Sequence, residues 1–236
     1  MRRVARALGG DPRDVTGQQL IEWASRRTWA RETRRSVYHS LRGFFGHLAK
    51  VGTIERDPSI ELPKVRASEP RPRPTPEVIY RTALADVTDP RVRVALRLAA
   101  EAGLRRTEVS LVHARDLQPD LLGWSLVAHG KGGKDRLVPL SDDLAQLVRT
   151  QAAGGWLLPG RIDGHLSGQY VGKLVARALP GVWTMHTLRH RFGTLAAGEG
   201  DLIAVQRLLG HASVATTQRY VARPDDALRR AASRAA

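Results

Sequence analysis

Between residues 63 and 76 the chain reads PKVRASEPRPRPTP, and its five prolines deny that stretch both a helix and a place in a sheet ladder. What remains is an extended connector. It predicts a short first domain over residues 1–62, a proline-rich linker over 63–75, and a larger second domain over 76–236. A chain of 236 residues has room for a main domain and a small partner. Lys64, Arg66, Arg71 and Arg73 make the connector basic, so it is suited to follow a phosphate backbone while it joins the domains.

The first domain reads as all helical. Thr16 is placed to cap a helix through Leu20, Ile21 and Trp23. A second helix carries Val37, Leu41, Phe44, Phe45 and Leu48 at helical spacing, with Gly52 as its stop. Arg34, Arg35, His39 and Arg42 fall largely on its other faces. They read either as a solvated face or as contacts to a nucleic-acid backbone.

The second domain is helical at both ends. Pro76-Glu77 suits a first helical turn, and a helix follows Asp89-Pro90 and ends near Gly103. Val109, Leu111 and Val112 predict a further packed helix. WSLVA and RLVPL then change the period to that of strands, and HGKGGKD between them predicts a β-hairpin tipped by Lys131, with Lys134 beside it. Ser141 caps another helix, and further helices are expected near 167–179, 186–198 and 201–209. The expected fold is mainly α with a small antiparallel β-sheet.

Composition narrows the partner. The formal charge is +15, which favours a polyanion, with nucleic acid ahead of an anionic membrane surface. The chain has no cysteine, which excludes disulfides, thiol chemistry and thiolate-bound zinc. MRRVARALGG has no apolar core of a secretory signal, and no run reaches the ~18 apolar residues of a membrane span. The expectation is a cytoplasmic protein acting on nucleic acid, with no membrane partner.

Arg105, Lys131, His186, Arg189, His211 and Tyr220 form a set with chemical sense. Cleaving a phosphodiester without metal requires forked cationic donors on the non-bridging oxygens, which arginine supplies better than lysine. It also requires a hydroxyl nucleophile, such as a tyrosine phenol, and an acid for the leaving oxygen, such as a lysine on a hairpin. His186 and Arg189 are three apart and share a helix face. Singly, each residue has an ordinary reading: an ion-pair arginine, a turn lysine, a packing tyrosine. His186 and His190 have zinc-like spacing, but HTLRH lacks the glutamate of a zincin and no third ligand is evident.

In this order the segments AGLRRTEVSLV, HGKGGKDRLVPL and HTLRHRFGTLAAGEGDLIAVQRLLGHASVATTQRY resemble the tyrosine recombinases, or phage integrase family, including the Xer-type resolvases. The resemblance covers residues 76–222 well and 16–62 more loosely. It implies a helical, SAM-like core-binding domain ahead of a catalytic domain. Arg105 and Arg189 would clamp the scissile phosphate, Lys131 would protonate the 5′-oxygen, His186 would assist as base or hydrogen-bond partner, and His211 would bond a non-bridging oxygen. Tyr220 would form a 3′-phosphotyrosyl link, and Glu108 would position Arg105. No metal or cofactor is implied. The partners implied are double-stranded DNA, three further copies in a tetramer on two sites, and an accessory DNA-bending protein.

The function expected is site-specific integration or excision by a phage-derived enzyme. The alternatives are an Xer-like resolvase of plasmid or chromosome dimers, a non-catalytic DNA-binding regulator, and a type IB topoisomerase-like enzyme. Two features depart from the fuller family pattern. The first domain is short, either truncated or minimal, and no arm-type DNA-binding domain precedes it. The tail from Asp225 to Ala236 is expected to pack on a neighbouring protomer.

Overall fold

The computed structural model describes residues 9–68, 72–130, 132–198 and 202–210. Contacts divide the chain into two compact units, Met1–Pro70 and Arg71–Ala236.

In the first unit, the helix α1 (Gly17–Ser25) starts at Thr16, whose hydroxyl accepts from the Gln19 N–H while the Gln19 side chain accepts from the Thr16 N–H. That reciprocal box satisfies two donors that the first turn leaves open. Helix α2 (Arg31–Lys50) buries Tyr38, Leu41 and Phe45, one stripe at helical spacing, against Leu20, Trp23 and Ala24 of α1. It ends where Gly52 takes φ +73°. The proline-rich stretch begins as part of this unit. Arg42 Nη2 donates to Leu62 O at 2.6 Å, and Ser68 N donates to Glu32 Oε1 at 2.6 Å. Residues 63–68 are therefore held to α2 at two points, and the extended stretch is a strap on its own helix there.

The second unit is built around α4 (Pro90–Glu101), which buries Val92, Val94, Ala95, Leu96, Leu98, Ala99 and Ala100. Burial on nearly every side marks a central helix. Around it pack α3 (Glu77–Asp86), α6 (Asp142–Ala152), α7 (Gly168–Ala178) and α8 (Met185–Gly198). Ser141 and Ser167 cap α6 and α7, each hydroxyl accepting a backbone N–H from the first turn. The last described helix, α9 (Leu202–Leu209), lays Val205 and Leu209 against Phe192, Ala196 and Ala197 of α8.

The sheet is antiparallel, β1 (Leu117–Asp120), β2 (Gly123–Ala128) and β3 (Arg136–Leu140), in that order. Leu126 faces Val138 across the β2–β3 pair, and both are buried. The hairpin from the sequence is present with an added edge strand, LQPD. One apolar residue and a proline hide that strand from pattern reading, and an edge is where a strand tolerates proline.

The helix expected through Val109, Leu111 and Val112 is a correction. Helix α5 (Arg106–Ser110) stops after five residues. Leu157 N donates to Val112 O and Ala114 N donates to Gly155 O, so the chain leaves the helix to pair with residues 155–157. His113 and Asp116 then cap a 3-10 turn over Ala114–Asp116, an alternative the polar side chains offer the backbone.

Candidate active site

Glu108 organises the site. It lies on α5, is 2% exposed, and meets arginines from three different elements. Its Oε2 accepts from the Arg105 N–H at 2.7 Å, and its Oε1 accepts from Arg105 Nη1 at 2.7 Å. Arg136, at the start of β3, donates Nη1 and Nη2 to the two carboxylate oxygens at 2.8 and 2.9 Å. Arg189, on α8, brings Nη1 to 3.7 Å from Oε2. Burial by itself would raise the Glu108 carboxyl. The Arg136 fork and the Arg105 donors overcome it and hold the group down at about 2.

The same three arginines meet the end of α9. Arg136 Nε donates to Leu208 O at 2.6 Å, Arg189 Nη2 donates to Leu209 O, and Arg105 Nη2 reaches Gly210 O at 3.4 Å. The last carbonyls of a helix lack intrahelical donors and form its negative pole. Three consecutive carbonyls here receive three guanidiniums. Arg189 also donates Nη1 to Gly103 O. Gly103 takes φ +66°, and an added Cβ there would lie 2.4 Å from the Phe192 ring, so only glycine brings that carbonyl to Arg189.

Arg189 is 3% exposed, whereas the Arg105 side chain is 41% exposed. The pair thus offers one guanidinium fixed from beneath and one that opens to solvent. His186, one turn before Arg189, is exposed on the same helix, and its ring packs on His190 at 4.2 Å between centroids. Desolvation, then Arg189 and Arg105, push His186 below the ordinary imidazole range. Desolvation, His186 and Arg189 lower His190 to about 4. Both rings are neutral at pH 7. Among the described residues no group of three or more His, Cys, Asp or Glu side chains is arranged to hold a metal ion.

Of the six residues singled out for catalysis, Arg105, His186 and Arg189 come together with Glu108. Lys131, His211 and Tyr220 lie outside the described residues, as does the tail from Asp225 to Ala236. Arg136 escaped the sequence reading. In KDRLVPL it looks like any basic residue opening a strand, and only the fold shows that its fork closes on Glu108. In the first unit Arg35, His39, Arg42 and Lys64 line one cleft of about 550 Å³. Arg34 and Arg66 are exposed but do not line it, and Lys134 is exposed in the β2–β3 loop of the second unit.

The site is thus a buried carboxylate that gathers arginines from a helix cap, a strand and a HxxR helix. The model of the phage integrase family matches residues 77–226. The chain belongs to the phage integrase family. Tyrosine recombinase XerC of Methylobacterium sp. (strain 4-46) is 37% identical over 205 residues, which cover 77% of this chain and 64% of that protein. The chain thus spans less than two thirds of that relative's length. The integrase of mycobacterium phage Brujita is 27% identical over 93% of this chain and 80% of its own, with a TM-score of 0.54. XerH site-specific recombinase, solved on a palindromic difH substrate after cleavage, shares the fold at TM-score 0.72 and 22% identity, over 98% of this chain and 75% of its own. The mainly helical fold with a small antiparallel sheet is that of these recombinases.

Proposed function

We propose that this chain is a site-specific recombinase that cleaves and rejoins double-stranded DNA through a 3′-phosphotyrosyl link on Tyr220. The observation that carries the reading is the buried carboxylate of Glu108 holding Arg105, with Arg189 beside it, where these arginines meet the carbonyls of Leu209 and Gly210. In the reaction the Tyr220 oxygen attacks the scissile phosphorus as the P–O5′ bond breaks. Lys131 gives its proton to the departing 5′-oxygen. The negative charge that builds on the non-bridging oxygens meets Arg105, Arg189 and His211, and preorganised donors of this kind act without reorganising at the moment of reaction. His186, neutral and open to solvent, accepts the tyrosine proton or bonds the phosphate. The new ester conserves the energy of the old one, so attack by a second strand's 5′-hydroxyl reverses the step with no external energy source.

Residues 1–62 serve as the core-type DNA-binding domain. Arg34, Arg35, His39, Lys64 and Arg66 contact the backbone, and Arg42 secures the strap beneath them. Four copies act on two sites, with an accessory DNA-bending protein shaping the complex, and the tail beyond Asp225 couples neighbouring copies. Integration or excision of phage-derived DNA is the assignment favoured by likeness to the Brujita integrase. The likeness to XerC supports resolution of DNA dimers as the second reading.

The test is a nicked suicide substrate carrying a candidate core site, incubated with wild type and with Tyr220→Phe. A covalent protein–DNA adduct with wild type alone is expected. An undiminished adduct with Tyr220→Phe would reject the nucleophile and point to Tyr170, which is exposed, since Tyr38 is buried in the first unit.

A further inference from the structure

His190 is not among the residues that the reaction above uses, yet it is the ring against which His186 stands. It lies one turn along α8 from His186, and the two rings meet edge to face at 60° with centroids 4.2 Å apart. Its Nδ1 accepts the backbone N–H of Arg73 at 2.9 Å. A nitrogen that accepts a hydrogen bond carries no proton, so this contact places the proton of neutral His190 on Nε2. Residues next to Arg73 are tied to the same helix. Thr75 N donates to Thr187 O at 3.0 Å, the Thr75 and Thr187 hydroxyls are 2.8 Å apart, and the Arg73 guanidinium lies over the Trp183 ring. The end of the proline-rich stretch is therefore docked along the turn of α8 that carries His186 and Arg189.

We propose that His190 is a positioning residue for His186, oriented and held in one tautomer by the peptide N–H of Arg73. The role rests on the assignment of His186 to the reaction. A ring locked at Nδ1 offers His186 a fixed wall and one defined N–H. Protonated, it would place a further positive charge beside Arg189 and against His186, and the Arg73 N–H would lose its acceptor. Docking of the segment that joins the two units is thereby transmitted to the reacting end of α8 through one backbone hydrogen bond.

The sequence permits a clean test. Arg73 stands between Pro72 and Pro74, and a residue before proline is already confined to extended conformations. Arg73→Pro removes the N–H with little demand on the backbone, whereas Arg73→Ala removes the side chain and keeps the N–H. With the whole chain saturating the suicide substrate, Arg73→Pro is expected to slow single-turnover adduct formation about tenfold relative to Arg73→Ala, which lacks the same cation but keeps the N–H. DNA affinity is expected to be equal in both. Nitrogen-15 spectra of the histidine rings should show His190 protonated at Nε2 in wild type and Arg73→Ala. In Arg73→Pro they should show a tautomer mixture with displaced His186 signals. If Arg73→Pro fails to fold, His190→Asn decides, because its amide oxygen keeps an acceptor for Arg73 while the wall against His186 is lost; the same tenfold slowing is expected. Equal rates for the proline and alanine variants, or His186 signals indifferent to the N–H, would overturn the proposal. Absence of any adduct from wild type would instead reject the recombinase reading, and the ring spectra would still decide whether Arg73 sets His190 and His186.

Discussion

Glu108 is buried and carries one negative charge among three guanidiniums, and the consequences of removing that charge can be worked out. Glu108→Gln preserves the shape and one acceptor oxygen. It leaves Arg136, Arg105 and the buried Arg189 facing an amide, with Arg189 losing the carboxylate 3.7 Å away. Breaking a buried ion pair from one side costs about 3 kcal/mol or more. Chemical denaturation of Glu108→Gln should therefore show a loss of that size. The pH response has a definite sign. The Glu108 carboxyl is lowered in the fold, so its contribution is complete above about pH 4.5 and disappears as pH falls toward about 2. His190 is also lowered, to about 4, so the unfolded chain takes up its proton first and stability falls between about pH 6.5 and 4. Melting temperatures across pH 7 to 4 should decline in wild type, and the decline should be shallower in His190→Asn.

At the scale of elements, α9 is a short helix whose packing rests on Val205 and Leu209 and whose end is held by side chains from elsewhere. An eight-residue helix has little stability of its own. Arg136 supplies the tie from the sheet, donating to Leu208 O and to Glu108 at once. Replacing it by Met keeps much of the volume and removes every donor. Amide hydrogen exchange in Leu202–Leu209 should then accelerate about tenfold, with the central helix α4 unaffected. The capped helices were legible in the chain because Thr16, Ser141 and Ser167 are local signals, acting within a turn of themselves. The edge strand β1 and the early end of α5 were not: β1 pairs locally with residues 123–126, but LQPD carries no strand period, and α5 ends because residues 155–157, more than forty positions on, take the backbone groups that follow it.

At the scale of the whole molecule, the charge of +15 predicts binding to DNA that weakens steeply with salt. The first unit allows a finer statement. Arg35 lines the basic cleft and pairs with Glu32 only at 3.5 Å on the surface, where such pairs add little. Arg35→Ala should therefore reduce the salt slope of DNA binding by about 1. Arg42 lines the same cleft, but its Nη2 holds the carbonyls of Leu62 and Pro63. Its removal should lower the thermal stability of the first unit as well, which a melting curve would show.

The proline-rich break, the helical and hairpin periods, and the ordered set from Arg105 to Tyr220 that marks the family were legible along the chain. Those follow from proline geometry, side-chain spacing and residue chemistry, all of which act along the chain. That Arg136 belongs with Glu108, that the end of α9 is gripped by three guanidiniums, and that the connector reaches His190 through a peptide N–H came from packing alone. These contacts join residues 20 to 117 positions apart, and a buried charge takes whichever partner the packing brings within hydrogen-bond reach.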